Sequence, residues 1–174
     1  ELTDCLYYYP NLDNSKRFFE IEAKGDVIER GYKCVTDEIT LVREIPLDEV
    51  FEYIRENKNE VKWDVISERQ KLSEELIREF KDKVDWEYIS EYQELSEDFI
   101  KEFKDKVNWV VISICQKLSE DFIREFSDKL DWDCISTNQE LSEDFIREFS
   151  DKLNWVNISS FQKLSEDFIR EFSD

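Results

Sequence analysis

Judged by residue type and spacing, the strongest candidates for catalytic residues in this sequence are paired acids. Glu97 and Asp98 form one such pair, and an equivalent acidic pair occurs at the same place in every copy of a repeated unit. A catalytic pair of carboxylates needs one special environment that sets two pKa values apart. The 174 residues also contain no histidine, the commonest general base and zinc ligand. The sequence therefore predicts no enzyme, no cofactor and no metal site.

Cysteines and short polar motifs offer no site either. The cysteines are Cys5, Cys34, Cys115 and Cys134. None of them has CxxC spacing, which favours free thiols in a reducing compartment. The turn at residues 13–15 is too short for a calcium loop. Asn157 starts an Asn-Ile-Ser glycosylation motif, but its position varies among the copies. We expect an intracellular protein that is not secreted.

One unit of 23 residues tiles the chain from Val61 onward without a gap. The five copies start at Val61, Val84, Val107, Leu130 and Leu153. They share the frame W-x-x-I-S-x-x-Q-x-L-S-E-[DE]-[FL]-I-[RK]-E-F. A repeat of this size is typical of stacked supersecondary units that bury their apolar faces only against one another.

Each copy contains two apolar stripes at helical spacing. In the second copy Trp86 and Ile89 belong to a first helix, helix A, and Phe99 and Phe103 to a second, helix B. An Asp or Asn before the Trp and a Ser before the Glu predict the N-caps of the two helices. We predict a mainly α fold, a right-handed-type α-solenoid of five short αα-hairpins, with a small N-terminal α+β segment.

The region before the repeats has a different residue pattern and predicts different secondary structure. We interpret residues 1–46 as a partial α+β segment, with a helical turn at 3–9 and strands over 16–28 and 34–45. Residues 47–60 are predicted to form a helix that closes the repeat array at its N-terminal side, with Leu47 and Asp48 as hydrophobic staple and N-cap. The array itself takes residues 61–174.

The stretches RFFEIEAKGDVI and KCVTDEITLVREI, preceded by DCLYYY, resemble the back half of an uncharacterised domain of phages and giant DNA viruses. The acidic repeat is similar to repeat arrays of amoeba-infecting giant viruses. The resemblance implies a viral protein of uncharacterised role, located in the infected host cytoplasm or the virion. The front half of the domain is not in the sequence and no methionine is present, so we expect a truncated chain. An enzyme with its active residues in the missing part stays an alternative.

Positions that vary among the copies indicate where a partner binds. They lie on the side of helix A opposite its predicted buried stripe, and several are apolar. The candidate partner-binding residues are Tyr88, Tyr92, Val110, Val111, Ile114 and Phe161. Apolar side chains collected on an exposed face are typical of an interface. The sequence therefore predicts a protein–protein interaction scaffold that binds an unidentified protein.

Charge and the C-terminal edge complete the partner predictions. The net charge of −20 repels nucleic acid and anionic membrane, so neither is an expected partner, whereas an acidic decoy for a basic protein is the alternative.

The fifth copy lacks the polar substitutions of a capping repeat. We expect a homodimer through this copy. The candidate self-association residues are Leu164, Phe168, Ile169 and Phe172.

Overall fold

The computed structural model describes residues 18–24, 28–30, 33–35 and 38–172. These residues form four strands and eleven helices, and the chain divides into two compact units, Glu1–Asp85 and Trp86–Asp174. The first unit contains β1 (Phe18–Lys24), β2 (Ile28–Arg30), β3 (Lys33–Val35), β4 (Glu38–Ile45), α1 (Leu47–Glu56), α2 (Trp63–Arg69) and α3 (Glu74–Glu79). The second contains α4 (Trp86–Tyr92), α5 (Glu97–Glu102), α6 (Trp109–Cys115), α7 (Glu120–Glu125), α8 (Trp132–Asn138), α9 (Glu143–Glu148), α10 (Trp155–Phe161) and α11 (Glu166–Glu171). The predicted mainly α fold of repeated hairpins is confirmed.

The N-terminal strands form two antiparallel pairs. β1 pairs with β4, with Phe18 opposite Ile45, and β2 pairs with β3. β1 and β4 lie within the strands predicted over 16–28 and 34–45, and the described residues also include the short strands β2 and β3. The predicted helical turn at residues 3–9 lies outside the described residues.

Helix α1 corresponds to a helix B, but its N-cap differs from the predicted one, and it ends at Glu56 and not at residue 60. α1 and α3 end one repeat length apart, whereas α1 starts four residues earlier than the repeat requires. Its N-cap is Pro46 and not Asp48, and no side chain makes a capping bond. Proline fixes φ near the −62° observed here, which leads directly into a helix. The longer helix buries Val50 and Ile54 completely.

Each hairpin of the repeat consists of a seven-residue helix A and a six-residue helix B. In the third copy Asn108 caps helix A by accepting from the N–H of Val110 at 3.1 Å. Ser119 caps helix B by accepting from the N–H of Phe122 at 3.2 Å. Both caps recur in the fourth and fifth copies, as the sequence predicts. In the first copy Lys62 occupies the helix A position and makes no capping bond.

Three aromatic rings hold each hairpin of the second unit together, whereas the first copy has Leu76 in place of one ring. In the third copy the ring centres of Trp109 and Phe126 are 5.1 Å apart, and those of Phe122 and Phe126 are 4.7 Å apart. The indole N–H of Trp109 donates to the carbonyl of Lys104 at 2.8 Å. Of the five tryptophans, Trp63 is buried and the others are partly exposed. Their N–H edge lies near the surface because its acceptor is a backbone carbonyl in the turn.

A serine and a glutamine, both buried, join each hairpin of the second unit to the next. Ser113 Oγ accepts from the N–H of Asp131 in the following copy at 3.1 Å. Gln139 Nε2 donates back to the carbonyls of Ser113 and Gln116, at 3.1 and 2.8 Å. Its Oε1 accepts from the N–H of Leu118 at 3.0 Å. The same bonds recur one copy earlier and one copy later. These two residues are constant because buried polar groups need partners.

Charged residues of helix B also bond across copies. Glu120 Oε1 accepts from the N–H of Ser142 in the next copy at 2.7 Å. Arg124 Nε lies 2.9 Å from a carboxylate oxygen of Glu148, and its guanidinium lies 5.0 Å from the centre of the Phe145 ring. Within its own helix, Arg124 lies 2.9 Å from Asp121 and 3.7 Å from Glu120. The stack is therefore fastened at helix B as well as at helix A.

Candidate protein-interaction surface

Three equivalent clefts follow the C-terminal ends of helix A in the second unit. Each lies between two neighbouring copies, and we call them the helix A clefts. The first, between copies two and three, has a volume of about 290 Å³. The second and third, between the following copies, measure about 350 and 340 Å³. Gln116 and Gln139 each line two neighbouring clefts. Because their amides are held by the bonds between copies, the cleft walls are fixed in position.

A different exposed apolar side chain lines each cleft. Tyr92 lines the first cleft, Ile114 the second and Phe161 the third. These three side chains are between 43% and 61% exposed. Val110 is also exposed and lies one helical turn before Ile114, so the two share a helix face. Four of the six candidate partner-binding residues thus lie on the exposed side of helix A.

The other two candidates are half-buried. Tyr88 and Val111 occupy the position that Asn157 takes in the fifth copy. There the amide of Asn157 donates to the carbonyl of Asp133 in the preceding copy at 3.3 Å. In the fifth copy this position therefore lies between neighbouring A helices and contributes to stacking. The ring of Tyr88 still lies 6.0 Å from that of Tyr92 and supports it from one side.

Val156 is an exposed apolar residue that the candidate set omits. It is 74% exposed, more than any other large apolar side chain described. It follows the repeat tryptophan directly, as Val110 does in the third copy. The signal in the sequence is an apolar residue at a position where the first and fourth copies have Asp64 and Asp133.

The charge along the clefts is nearly balanced. Residues 109–118 and 155–164, which hold helix A and the following connection, each carry one lysine and no acid. The residue after the constant glutamine is Glu94, Lys117, Glu140 and Lys163 in successive copies of the second unit. Each cleft is consequently lined by one of these lysines and one of these glutamates. The excess of acid lies elsewhere, chiefly on helix B.

The four candidate self-association residues at the end of the fifth copy differ in exposure. Ile169 and Phe172 are exposed, and Leu164 is half-buried. Phe168 is only 1% exposed. Its ring lies 4.8 Å from the guanidinium carbon of Arg147 in the preceding copy, which covers it. Phe168 therefore does not take part in an exposed patch.

Hydrogen bonds, burial and nearby charge shift the pKa values of an acid and two thiols in the second unit. The N–H of Ser165 holds the pKa of Glu143 below its ordinary value. Burial, followed by a hydrogen bond with Asp131, raises the pKa of the Cys134 thiol to about 11. Burial and the charge of Glu91 raise the pKa of Cys115 as well. Neither described thiol is activated as a nucleophile. Within the described ranges, no three Cys, Asp or Glu side chains are grouped to hold a metal ion.

Comparison with known proteins identifies an uncharacterised domain at the N-terminus. The family model of a domain of unknown function (DUF7666) matches residues 1–55. The match therefore covers the strands and nearly all of α1. No curated protein and no solved structure matches the chain. Among the helices that the structure describes, none is both long enough and apolar enough to span a bilayer.

Proposed function

We propose that the second unit is a non-enzymatic scaffold that binds another protein through the helix A clefts. One observation carries this proposal. Tyr92, Ile114 and Phe161 differ in identity, yet each lines one of three equivalent clefts. Apolar side chains beside concave, rigid walls favour binding of a partner's side chains. The constant residues supply the walls and the variable residues supply the selectivity.

An acidic decoy for a basic protein is the second candidate. It is supported by the net charge of −20 and by helix B acids such as Asp121 and Asp144, whose side chains are 95% and 96% exposed. Such a partner would bind the acidic surface and not the clefts. Its affinity would fall steeply with ionic strength, because attraction between exposed charges is screened by salt.

We further propose that the chain is a viral protein acting in the infected cell or the virion. The support is the resemblance of residues 17–28 and 33–45, and of the repeat frame, to proteins of giant DNA viruses. Mass spectrometry of purified virions and of infected cells tests this proposal. Absence of its peptides from both would contradict it.

The cleft proposal is tested with two variants of the whole chain in an affinity capture experiment. The cleft variant combines Tyr92→Asn, Val110→Asp, Ile114→Glu and Phe161→Asn, each taken from the equivalent position of another copy. These residues are therefore already tolerated by the fold. The control variant combines Asp121→Asn and Asp144→Asn, which remove exposed helix B charge and two exposed ion pairs but change no cleft residue. Capture is performed at about 0.1 M and about 0.5 M salt, where the Debye length falls from about 10 Å to a few Å.

The two candidates give opposite patterns. For a cleft partner, we expect a protein retained by the wild type and the control variant at both salt concentrations but lost by the cleft variant. For a decoy, the captured protein is lost at high salt and weakened by the control variant. Proteins captured equally by wild type and cleft variant would overturn the cleft proposal.

A further inference from the structure

In the second unit, helix A and the connection that follows it alternate in charge from one copy to the next. Residues 84–95 contain four acids and no base, and residues 130–141 contain three acids and no base. The equivalent residues 107–118 and 153–164 each contain one lysine and no acid. The order of charge along this side of the array is therefore negative, positive, negative, positive.

The residue after the constant glutamine brings this alternation to the helix A clefts. In successive copies it is Glu94, Lys117, Glu140 and Lys163, and all four are exposed. Lys117 lines both the first and the second cleft, and Glu140 lines both the second and the third. These charges therefore stand at the borders between one cleft and the next.

The border charges differ from those of helix B in their pairing. Lys101 of helix B lies 2.7 Å from Glu125 in the next copy. Among the residues that the structure describes, Lys117, Glu140 and Lys163 take part in no ion pair, although neighbouring copies carry opposite charges. These three charges are thus available to a partner that lies along the clefts.

The spacing of the clefts matches one conformation of a bound chain. Successive A helices of the second unit pack directly against each other, and packed helices lie about 8–10 Å apart. In a polyproline II helix every third residue returns to the same face, about 9.3 Å further along the chain. In a β-strand the residues of one face recur about every 6.7 Å, which does not match the clefts. A segment in the polyproline II conformation can therefore place every third side chain in a successive cleft.

We propose that the three helix A clefts bind one continuous polyproline II segment of the partner, with apolar side chains at every third position and intervening charges that alternate in sign. This inference rests on the proposed scaffold function and specifies its partner. Basic residues of the segment lie against Glu94 and Glu140, and acidic residues lie against Lys117 and Lys163. A uniformly basic segment is repelled at both lysines. A polyproline II helix is also preformed, so it loses little conformational freedom when it binds.

The test measures binding of two labelled peptides with blocked ends to the whole chain by fluorescence anisotropy. The alternating peptide, RPLEPLRPLE, offers one leucine to each cleft and carries its charges in the proposed order. The control peptide, RPLRPLEPLE, has the same composition but brings like charges together at Lys117 and Glu140. Both have no net charge, so general attraction to an acidic chain does not distinguish them. Each is also made in the reverse order of residues, because a bound segment can run in either direction.

We expect the alternating peptide, in its better-binding direction, to bind about fivefold tighter than its control, as two exposed ion pairs replace two like-charge contacts. Lys117→Glu combined with Glu140→Lys should reverse this preference. Each new residue is the one that neighbouring copies have at that position, so the fold tolerates the exchange. The control variant Asp121→Asn with Asp144→Asn should leave the preference unchanged.

The inference is overturned if no peptide binds at about 1 mM, or if the charge exchange does not reverse the preference. Equal binding of the alternating and control peptides also overturns it, and if the cleft variant weakens that binding, the scaffold function still stands. A captured partner that enters the clefts through an α-helix or a folded surface has the same meaning. The capture experiment depends on neither peptide and therefore decides the scaffold function separately.

Discussion

Glu120 in the third copy accepts a hydrogen bond from the backbone N–H of Ser142 in the fourth, with 2.7 Å between Oε1 and N. Ser142 is itself the N-cap of its helix B. In a capping box this acid comes from the same helix, three residues after the cap. Here it comes from the preceding copy, so the start of helix B in copies three to five depends on a neighbouring copy. The folding of adjacent copies is thereby coupled.

The coupling at Glu143 predicts a loss of stability in acid. Its pKa is lowered in the folded chain by the N–H of Ser165. A folded-state pKa below the unfolded value adds stability above the unfolded pKa, which is lost as the pH falls through the folded pKa. Urea unfolding at pH 7 and at successively lower pH should show a smaller acid loss for Glu143→Gln than for the wild type. The control Glu140→Gln removes one charge from an exposed residue and should retain the wild-type acid loss.

The bonds of Gln139 predict a large cost for its truncation. Gln139→Ala removes three hydrogen bonds and leaves two carbonyls and one N–H without their partner. We expect a loss of about 3 kcal/mol in the free energy of unfolding, measured with urea. The adjacent and exposed Glu140→Ala should change it by less than about 0.5 kcal/mol. Equal effects would contradict the role of Gln139 between copies.

The tryptophans should differ in their contribution to stability. Trp132→Ala opens a cavity beside Phe149, whose ring centre is 5.1 Å away, and should cost about 3 kcal/mol. Trp155→Ala in the fifth copy should cost clearly less, because that ring is 36% exposed. Thr137→Ala removes only an exposed bond to the carbonyl of Asp133 and should be nearly silent. Chemical denaturation of the three variants measures the order, and a larger cost at Trp155 than at Trp132 would contradict it.

The two described thiols should react at different rates. The pKa of Cys134 is raised to about 11, so its thiolate is scarce at pH 8, whereas Cys115 is exposed. We expect alkylation by iodoacetamide, followed by peptide mass spectrometry, to modify Cys115 faster. Asp131→Asn introduces the residue found at the equivalent position of copies three and five, and should speed the reaction of Cys134. The assignment would be contradicted if the two thiols reacted at equal rates in the native chain but at different rates in urea.

Repetition made most of the fold predictable from the sequence. The spacing of Trp86, Ile89 and Phe99 indicates two helices per copy, and the caps before them indicate where each begins. The role of Gln116 was not predictable in the same way. Its partners lie 21 to 26 residues away in another copy, and helical periodicity contains no information at that distance. The N-cap of α1 was missed because Pro46 takes the place of the expected side-chain cap.

Part of the candidate surface was predictable for the same reason. Variation at Tyr92, Ile114 and Phe161 within a constant frame indicates an outward position, and each is exposed. Half-burial of Val111 depends on how closely neighbouring A helices of the second unit approach. That distance is set by packing between copies and is not contained in the pattern of one copy.

The bonds between copies allow whole copies to be removed from the array, or added to it, without loss of bonding partners. Each bond joins positions that are identical or interchangeable in every copy of the second unit, so excision of residues 107–129 brings Ser90 to Asp131 and Gln93 to Gln139 with the same partners as before. Unequal recombination within such a gene therefore yields chains that still fold and that gain or lose one cleft at a time. The length of the surface and the order of its variable residues can evolve while the interior stays the same.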